Sequence, residues 1–349
     1  MKKFQILFFI LIASTLSAQI KVTIKGKITD SQYSNHAIEY SVFKKTHKLD
    51  LTKIIDFKTG NFGEFNIAFS LDKSQPICIM RSDFEGLYYL AFWGEGNIFI
   101  DGEINEQVTF AGDNKLANNL LNSIKIAEKK HDDILSLWHD DSQMQNPVED
   151  KIYRRDQNKL LIDLDTDYKS NIEKKVPLQL DNWIATEIKA FGLLCEAEYI
   201  NKKSKSMQNK KIEEHYLSQN KSSDEFIKAF QKEEYYIGEQ KSFVDALKTF
   251  PESALLSDYF LKYFELCCAH NADFNYSSTN NYPLYSEILG SIKVSPENAN
   301  MNYHNNDNNE PYKSAIRIFN SRAIINWVKT NMADKPKFLE YILVKTVNI

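Results

Sequence analysis

Glycine is scarce in this chain: 11 of 349 residues, about 3% where about 7% is usual. Cysteine is scarcer still, with four residues, which excludes a disulfide-dense scaffold. Neither sign of charge dominates. There are 43 Lys and Arg against 47 Asp and Glu, a formal net charge of −4, which argues against a broad electrostatic surface for nucleic acid. No C-x-x-C occurs, so the spacing of a thioredoxin-type redox centre is missing. Neither G-x-x-x-x-G-K-[ST] nor G-x-G-x-x-G appears, and G-x-S-x-G and H-E-x-x-H are also absent. The enzyme classes most easily read from short motifs are therefore removed.

What is present describes a globular chain. It is 43% hydrophobic and 26% charged, and its length suffices for two domains, each with its own core. Met1-Lys2-Lys3 precedes the apolar run Phe4 to Ile12 and the small-residue exit Ala13 to Ala18. A cationic start, a short apolar run and a small-residue exit make a secretory signal peptide over residues 1–18. The run is shorter than the roughly 20 apolar residues of a membrane span, and no second such run follows. No cysteine lies near the exit to take a lipid anchor. The expectation is an exported protein, periplasmic or extracellular, with no stable membrane span after cleavage.

The few glycines divide the chain. Eight lie between Gly26 and Gly112; only Gly192, Gly238 and Gly290 follow. Tight turns between strands use glycine, whereas helix interiors disfavour it by about 1 kcal/mol. Period-two runs agree: Ile20 to Ile28, Ile38 to Val42, Phe65 to Leu71, Leu87 to Trp93, Ile98 to Ile100 and Val108 to Phe110. Seven or eight half-buried strands in about 95 residues predict an antiparallel β-sandwich over 19–113.

After Gly112 the period changes. Leu116, Leu120, Ile124, Ala127, His131, Ile134 and Trp138 advance in steps of three and four, an apolar helical stripe. Trp183, Ile184, Ile188, Phe191, Cys195 and Tyr199 form a second stripe. Leu256, Phe260, Tyr263, Phe264 and Cys267 form a third, and Ile316 to Val328 a fourth. Ser222-Ser223-Asp224-Glu225 reads as a capping box before Phe226, Ile227 and Phe230. The fold class expected is α+β, with the sandwich followed by an all-helical domain over 114–349. Two further segments stand out: a lysine run at 201–211, read as a solvated loop or helix end rather than an anionic-surface contact, and an asparagine-rich loop at 298–309.

Three groups of residues suggest chemistry. His131-Asp132-Asp133 repeats as His139-Asp140-Asp141. On one helix the two histidines stand about 80° and about 12 Å apart, too far for one metal ion, and His131 lies on the apolar stripe. His304, Asp307 and Glu310 offer hard ligands but lack the glycine and acidic spacing of a calcium loop. No cofactor or metal is expected. Cys195 and Cys267 fall on apolar stripes, where cysteine behaves as a small hydrophobe. Buried thiols, a structural bridge from Cys195 to Cys267 or Cys268, and a bond between adjacent Cys267 and Cys268 all stay open.

The order of elements resembles a known family. A signal peptide, the opening strand Val22-Thr23-Ile24-Lys25-Gly26-Lys27-Ile28, the Gly60–Phe65 turn and strand, Gly94-Glu95-Gly96-Asn97-Ile98-Phe99-Ile100, and the run Val108 to Leu121 follow one another. This is similar to the N-terminal region of exported TlpA/ResA-type thiol-disulfide oxidoreductases of Bacteroidota, over roughly residues 20–125. In that family a C-terminal thioredoxin domain carries the catalytic C-x-x-C. No residue here matches that pair, and the end of the sequence, Phe338 to Val344, still reads as helix. The resemblance therefore implies an exported non-catalytic binding or accessory protein, with a protein or small ligand as partner. Two other readings stand beside it: a thiol-disulfide redox protein, whole or truncated, using Cys267 and Cys268, and a surface binder of glycans or nutrients through exposed aromatics.

Overall fold

The computed structural model describes residues 19–29, 36–45, 51–83, 86–103, 108–137, 147–217, 242–276, 321–322 and 324–347. Residues 1–18, read as a signal peptide, residues 222–225, read as a capping box, and residues 298–309, read as an asparagine-rich loop, lie outside the described residues. Eight strands come first: β1 (Ile20–Thr29), β2 (Glu39–Lys44), β3 (Thr52–Lys58), β4 (Glu64–Leu71), β5 (Gln75–Asp83), β6 (Gly86–Gly94), β7 (Gly96–Glu103) and β8 (Val108–Gly112). Helices follow: α1 (Lys115–Leu137), α2 (Pro147–Asn171), α3 (Leu178–Leu217), a short α4 at 242–248, α5 (Asp258–Tyr276), α6 at 324–331 and α7 (Pro336–Val347). The protein is of the α+β class.

The strands form two four-stranded sheets, ordered β4-β1-β7-β8 and β3-β2-β5-β6. Both contribute to one hydrophobic core: Val22, Ile24, Ile98, Ile100 and Phe110 from the first sheet, and Val42, Ile77, Ile79, Leu90 and Phe92 from the second. The Phe92 and Phe110 rings meet across it at 5.6 Å, and Phe57 and Phe65 at 5.0 Å. One expectation is corrected here: the strands are not all antiparallel. β1 pairs with β4 antiparallel but with β7 parallel, with Val22 opposite Gly96 and Ile24 opposite Ile98. Alternation tells which face a residue takes, not which way the neighbouring strand runs.

Two strands escaped the period-two pattern for physical reasons. β5 lies between β2 and β6, and its Pro76, Ile77, Cys78 and Ile79 are all buried. A strand covered on both faces loses its polar alternation. In β3, Val42 pairs with Ile55 and Phe43 with Lys53. The register shift leaves Ile54 as the extra residue of a bulge, which breaks the alternation.

Helix α1 closes the open side of the two sheets. β6 and β8 are edge strands, and an edge presents unpaired backbone groups. Three asparagines of α1 take them up. Asn118 Oδ1 accepts the Trp93 N–H at 2.8 Å; Asn119 both accepts from Phe110 N–H and donates to Phe110 O, each at 2.8 Å; Asn122 donates to Val108 O at 2.7 Å. The side-chain amide of Asn119 thus replaces the next strand's peptide group. Asn119→Ala is expected to cost about 1–3 kcal/mol, and urea unfolding of the variant measures it.

The chain forms two compact units. The first holds the eight strands, α1 as far as Lys129, and Ile162–Ala185; the second holds Lys130–Leu161 and the described residues from Thr186 onward. In the second unit, an aromatic core gathers Phe250, Phe260, Phe264 and Phe338, all buried. Phe260 lies 4.9 Å from Phe250, 5.8 Å from Phe264 and 5.3 Å from Phe338, between ring centroids. The N-terminus of α5 is held by a buried carboxylate of α3. Glu187 accepts the Ser257 hydroxyl at 2.7 Å and the Asp258 and Tyr259 N–H groups at 3.4 Å, an arrangement favoured by the helix dipole.

Candidate functional site

A buried polar cluster in the second unit centres on His131. The stripe of α1 places this residue inward at the helical period, together with Ala127 one turn earlier. Tyr153 and Gln157, four residues apart on α2, share a face, and so do Cys195, Glu198 and Tyr199 on α3. His131 Nδ1 lies 2.9 Å from Gln157 Oε1 and 3.4 Å from the Tyr153 hydroxyl; its Nε2 lies 3.2 Å from Glu198 Oε2. His131 is 1% exposed, whereas the Glu198 side chain is 36% exposed. The chain Tyr153–His131–Glu198 therefore runs from the interior to solvent.

The ring's tautomer determines the direction of these bonds. With hydrogen on Nε2, the imidazole donates to Glu198, and Nδ1 accepts the Tyr153 proton and, with the Gln157 amide turned over, a Gln157 Nε2 hydrogen. With hydrogen on Nδ1, the ring donates to Gln157 Oε1. Burial, with Cys195, Glu196 and Glu198 adding to it, pushes the Tyr153 phenol far above its ordinary range, so Tyr153 stays protonated and acts as a donor. The arrangement is a continuous hydrogen-bonded path from a half-exposed carboxylate to a buried phenol that holds its proton.

Around this chain the packing is aromatic and cationic. Tyr153 stacks on Tyr199 at 4.2 Å and 13°. The Arg154 guanidinium lies 5.4 Å from the Tyr199 ring centroid and pairs with Glu196 at 3.3 Å. The Lys203 ammonium lies 5.6 Å from the same centroid and pairs with Asp150 at 2.9 Å. Lys202 donates to the Leu135 carbonyl.

The other sequence-predicted residues fall elsewhere. Trp138 and the second histidine unit, His139-Asp140-Asp141, lie outside the described residues, as do His304, Asp307 and Glu310. Among the described residues no group of three His, Cys, Asp or Glu side chains is placed to hold a metal ion. Cys78, Cys195, Cys267 and Cys268 are all buried and stand as thiols rather than disulfides. Cys195 belongs to the helix face that carries Glu198 and Tyr199. The aromatic side chains exposed among the described residues are Phe62 and Phe99. Gln157, Glu187 and Glu198 were not legible in advance. The available signal was a polar residue at a helical period otherwise filled by apolar ones.

Burial pushes the Cys267 thiol from 9.0 up to about 12, despite the Tyr263 hydrogen bond that opposes it, and burial drives Cys268 the same way. The reactive form of cysteine is the thiolate, so at neutral pH both residues hold their protons. The linkage follows from the sign. Between about pH 9 and about pH 12 the folded state keeps a proton that the unfolded state has lost, so the stabilisation is complete below about 9 and is lost as pH rises toward 12. Urea midpoints should therefore fall steadily across that window, and Cys267→Ala should flatten the slope.

No protein-family model matches the sequence, and no curated protein is significantly similar to it.

Proposed function

We propose that this chain is an exported, non-catalytic binding or accessory protein whose layout follows the N-terminal region of TlpA/ResA-type thiol-disulfide oxidoreductases. In this reading residues 19–113 form a β-sandwich, residues 114–349 a helical domain, and the working partner is a protein or a small ligand. One observation carries it. The strands between Ile20 and Gly112 pair into two four-stranded sheets over a common core, on the stretch that bears the resemblance, in a chain without C-x-x-C.

The cysteines support the non-catalytic side of the reading. Cys267 and Cys268 are buried and retain their protons, the opposite of the electropositive, partly exposed setting that activates a thiol. The test is a disulfide-reduction assay with the full chain, dithiothreitol and oxidised insulin. The expected rate equals that of dithiothreitol alone. Robust turnover, lost in the Cys267→Ser, Cys268→Ser double variant, would overturn the reading in favour of a redox protein.

A further inference from the structure

The face of the second sheet turned away from the shared core is buried too, at one corner of the first unit. Lys44 pairs with Ile77, and Pro76 with Trp93; the Lys45 N–H donates to Pro76 O at 3.1 Å. Lys45, the residue after β2, therefore stands abreast of Pro76 on β5 and Trp93 on β6, on the face opposite Ile77 and Phe92, because side chains in register across a sheet share a face. Trp183 of α3 lies against Lys45 and Trp93. Its ring centroid lies 5.9 Å from that of Trp93, and the Lys45 ammonium lies 5.9 Å from it. Asn118 of α1 reaches the same corner, where its Oδ1 accepts the Trp93 N–H.

Two hydrogen-bond donors in this corner have no acceptor: Asn118 Nδ2 and Trp183 Nε1. Asn118 is 0% exposed and Trp183 6%. A buried donor left unpaired costs about 1–3 kcal/mol. Rotating the Asn118 amide does not relieve it, since that sets Nδ2 against the Trp93 N–H, donor against donor. An indole N–H can only donate. The nearby carboxylate of Glu95 is engaged, accepting Trp93 Nε1 at 3.1 Å and Asn114 Nδ2 at 3.4 Å. The corner thus presents an amide donor, an indole donor and an ammonium group between aromatic walls.

We propose that this corner binds a small oxyanion of the carboxylate class, one oxygen accepting from Asn118 Nδ2 and the other from Trp183 Nε1, with the Lys45 ammonium supplying the charge that favours an anion over a neutral acceptor. Hydrogen bonds to an ionised acceptor are about twice as strong as neutral ones. The inference is independent of the family resemblance.

The test is nuclear magnetic resonance of the full, nitrogen-15-labelled chain. Its four tryptophans give four indole N–H signals, and Trp183→Phe identifies the relevant one. Sodium acetate and sodium phosphate are titrated against sodium chloride at equal ionic strength. The Trp183 signal should move saturably with acetate and not with chloride; a response to phosphate alone would replace the carboxylate by a tetrahedral oxyanion and overturn the stated class. Asn118→Asp keeps the Oδ1 acceptor for Trp93 and puts an oxygen in place of the unpaired donor. It should weaken acetate binding by about tenfold or more. Should that variant not fold, Lys45→Met, which keeps the aliphatic stem and removes the charge, should give at least a threefold weakening. An unmoved Trp183 signal, an equal response to chloride, or unchanged affinity in the folded variant would each overturn the proposal. A water cross-peak at the Trp183 indole without an anion response would assign the corner to a bridging water.

Discussion

Gly26→Ala is expected to destabilise the strand-rich unit by more than about 3 kcal/mol. Gly26 lies in β1, between Phe65 of β4 and Ile100 of β7. A methyl group there would fall on the Ile100 carbonyl oxygen, with the Ile100 carbon and nitrogen also inside contact distance. These are main-chain atoms of a central strand, so relief requires β1 and β7 to part, and with them the parallel pair that joins the two halves of the first sheet. Far-UV circular dichroism and urea unfolding give the measurement. Gly60→Ala is the control. Its methyl would meet chiefly the end of the Glu64 side chain, at 3.0 Å, and that end can swing aside. Equal midpoints for the two variants would show that β1 is not clamped as described.

The second large effect is expected in the helical unit. Phe260→Ala should cost about 3–5 kcal/mol, the usual range for deleting a buried aromatic ring. Phe260 is wholly buried, and three other phenylalanine rings stand around it. The cavity left behind would be lined by these bulky rings, and such a cavity adds to the transfer cost unless the site collapses. Phe260→Leu should recover more than half of the loss. A leucine variant as unstable as the alanine one would mean that ring-to-ring geometry, rather than volume, sets the stability there.

Much of this architecture was legible because side-chain period reports burial. The alternation of Val22, Ile24 and Ile28, and the stripe through Ile124, Ala127 and His131, mark the faces that the fold buries. Where a position is buried for a polar reason, period fails. The α1 stripe was expected to begin at Leu116, but Leu116 is exposed, and Ala117 with Asn118 turns inward instead. Asn118, Asn119 and Asn122 look like solvent-facing residues in sequence, yet they are the groups that meet the sheet edges. Glu187 looks like a charge on a stripe's rim, yet it is buried because the N–H groups of α5 and the Ser257 hydroxyl receive it. The candidate site was half legible for the same reason. His131 announced itself by its period, whereas its partners Gln157 and Glu198 are distant in sequence and are fixed only by how α2 and α3 pack against α1.

The asparagine contacts of α1 also bear on how the chain avoids its own copies while it folds. An uncovered β-edge is a template on which a second chain can add a strand, the first step toward aggregation. Here the cover arrives in sequence order. Asn119 is nine residues from Phe110 and Asn122 fourteen from Val108, so β8 is sealed by a short-range closure that requires little loop ordering. The same helix then reaches β6 through Asn118, 25 residues from Trp93. One helix, following immediately on the last strand, thus shortens the time during which either edge can recruit another chain.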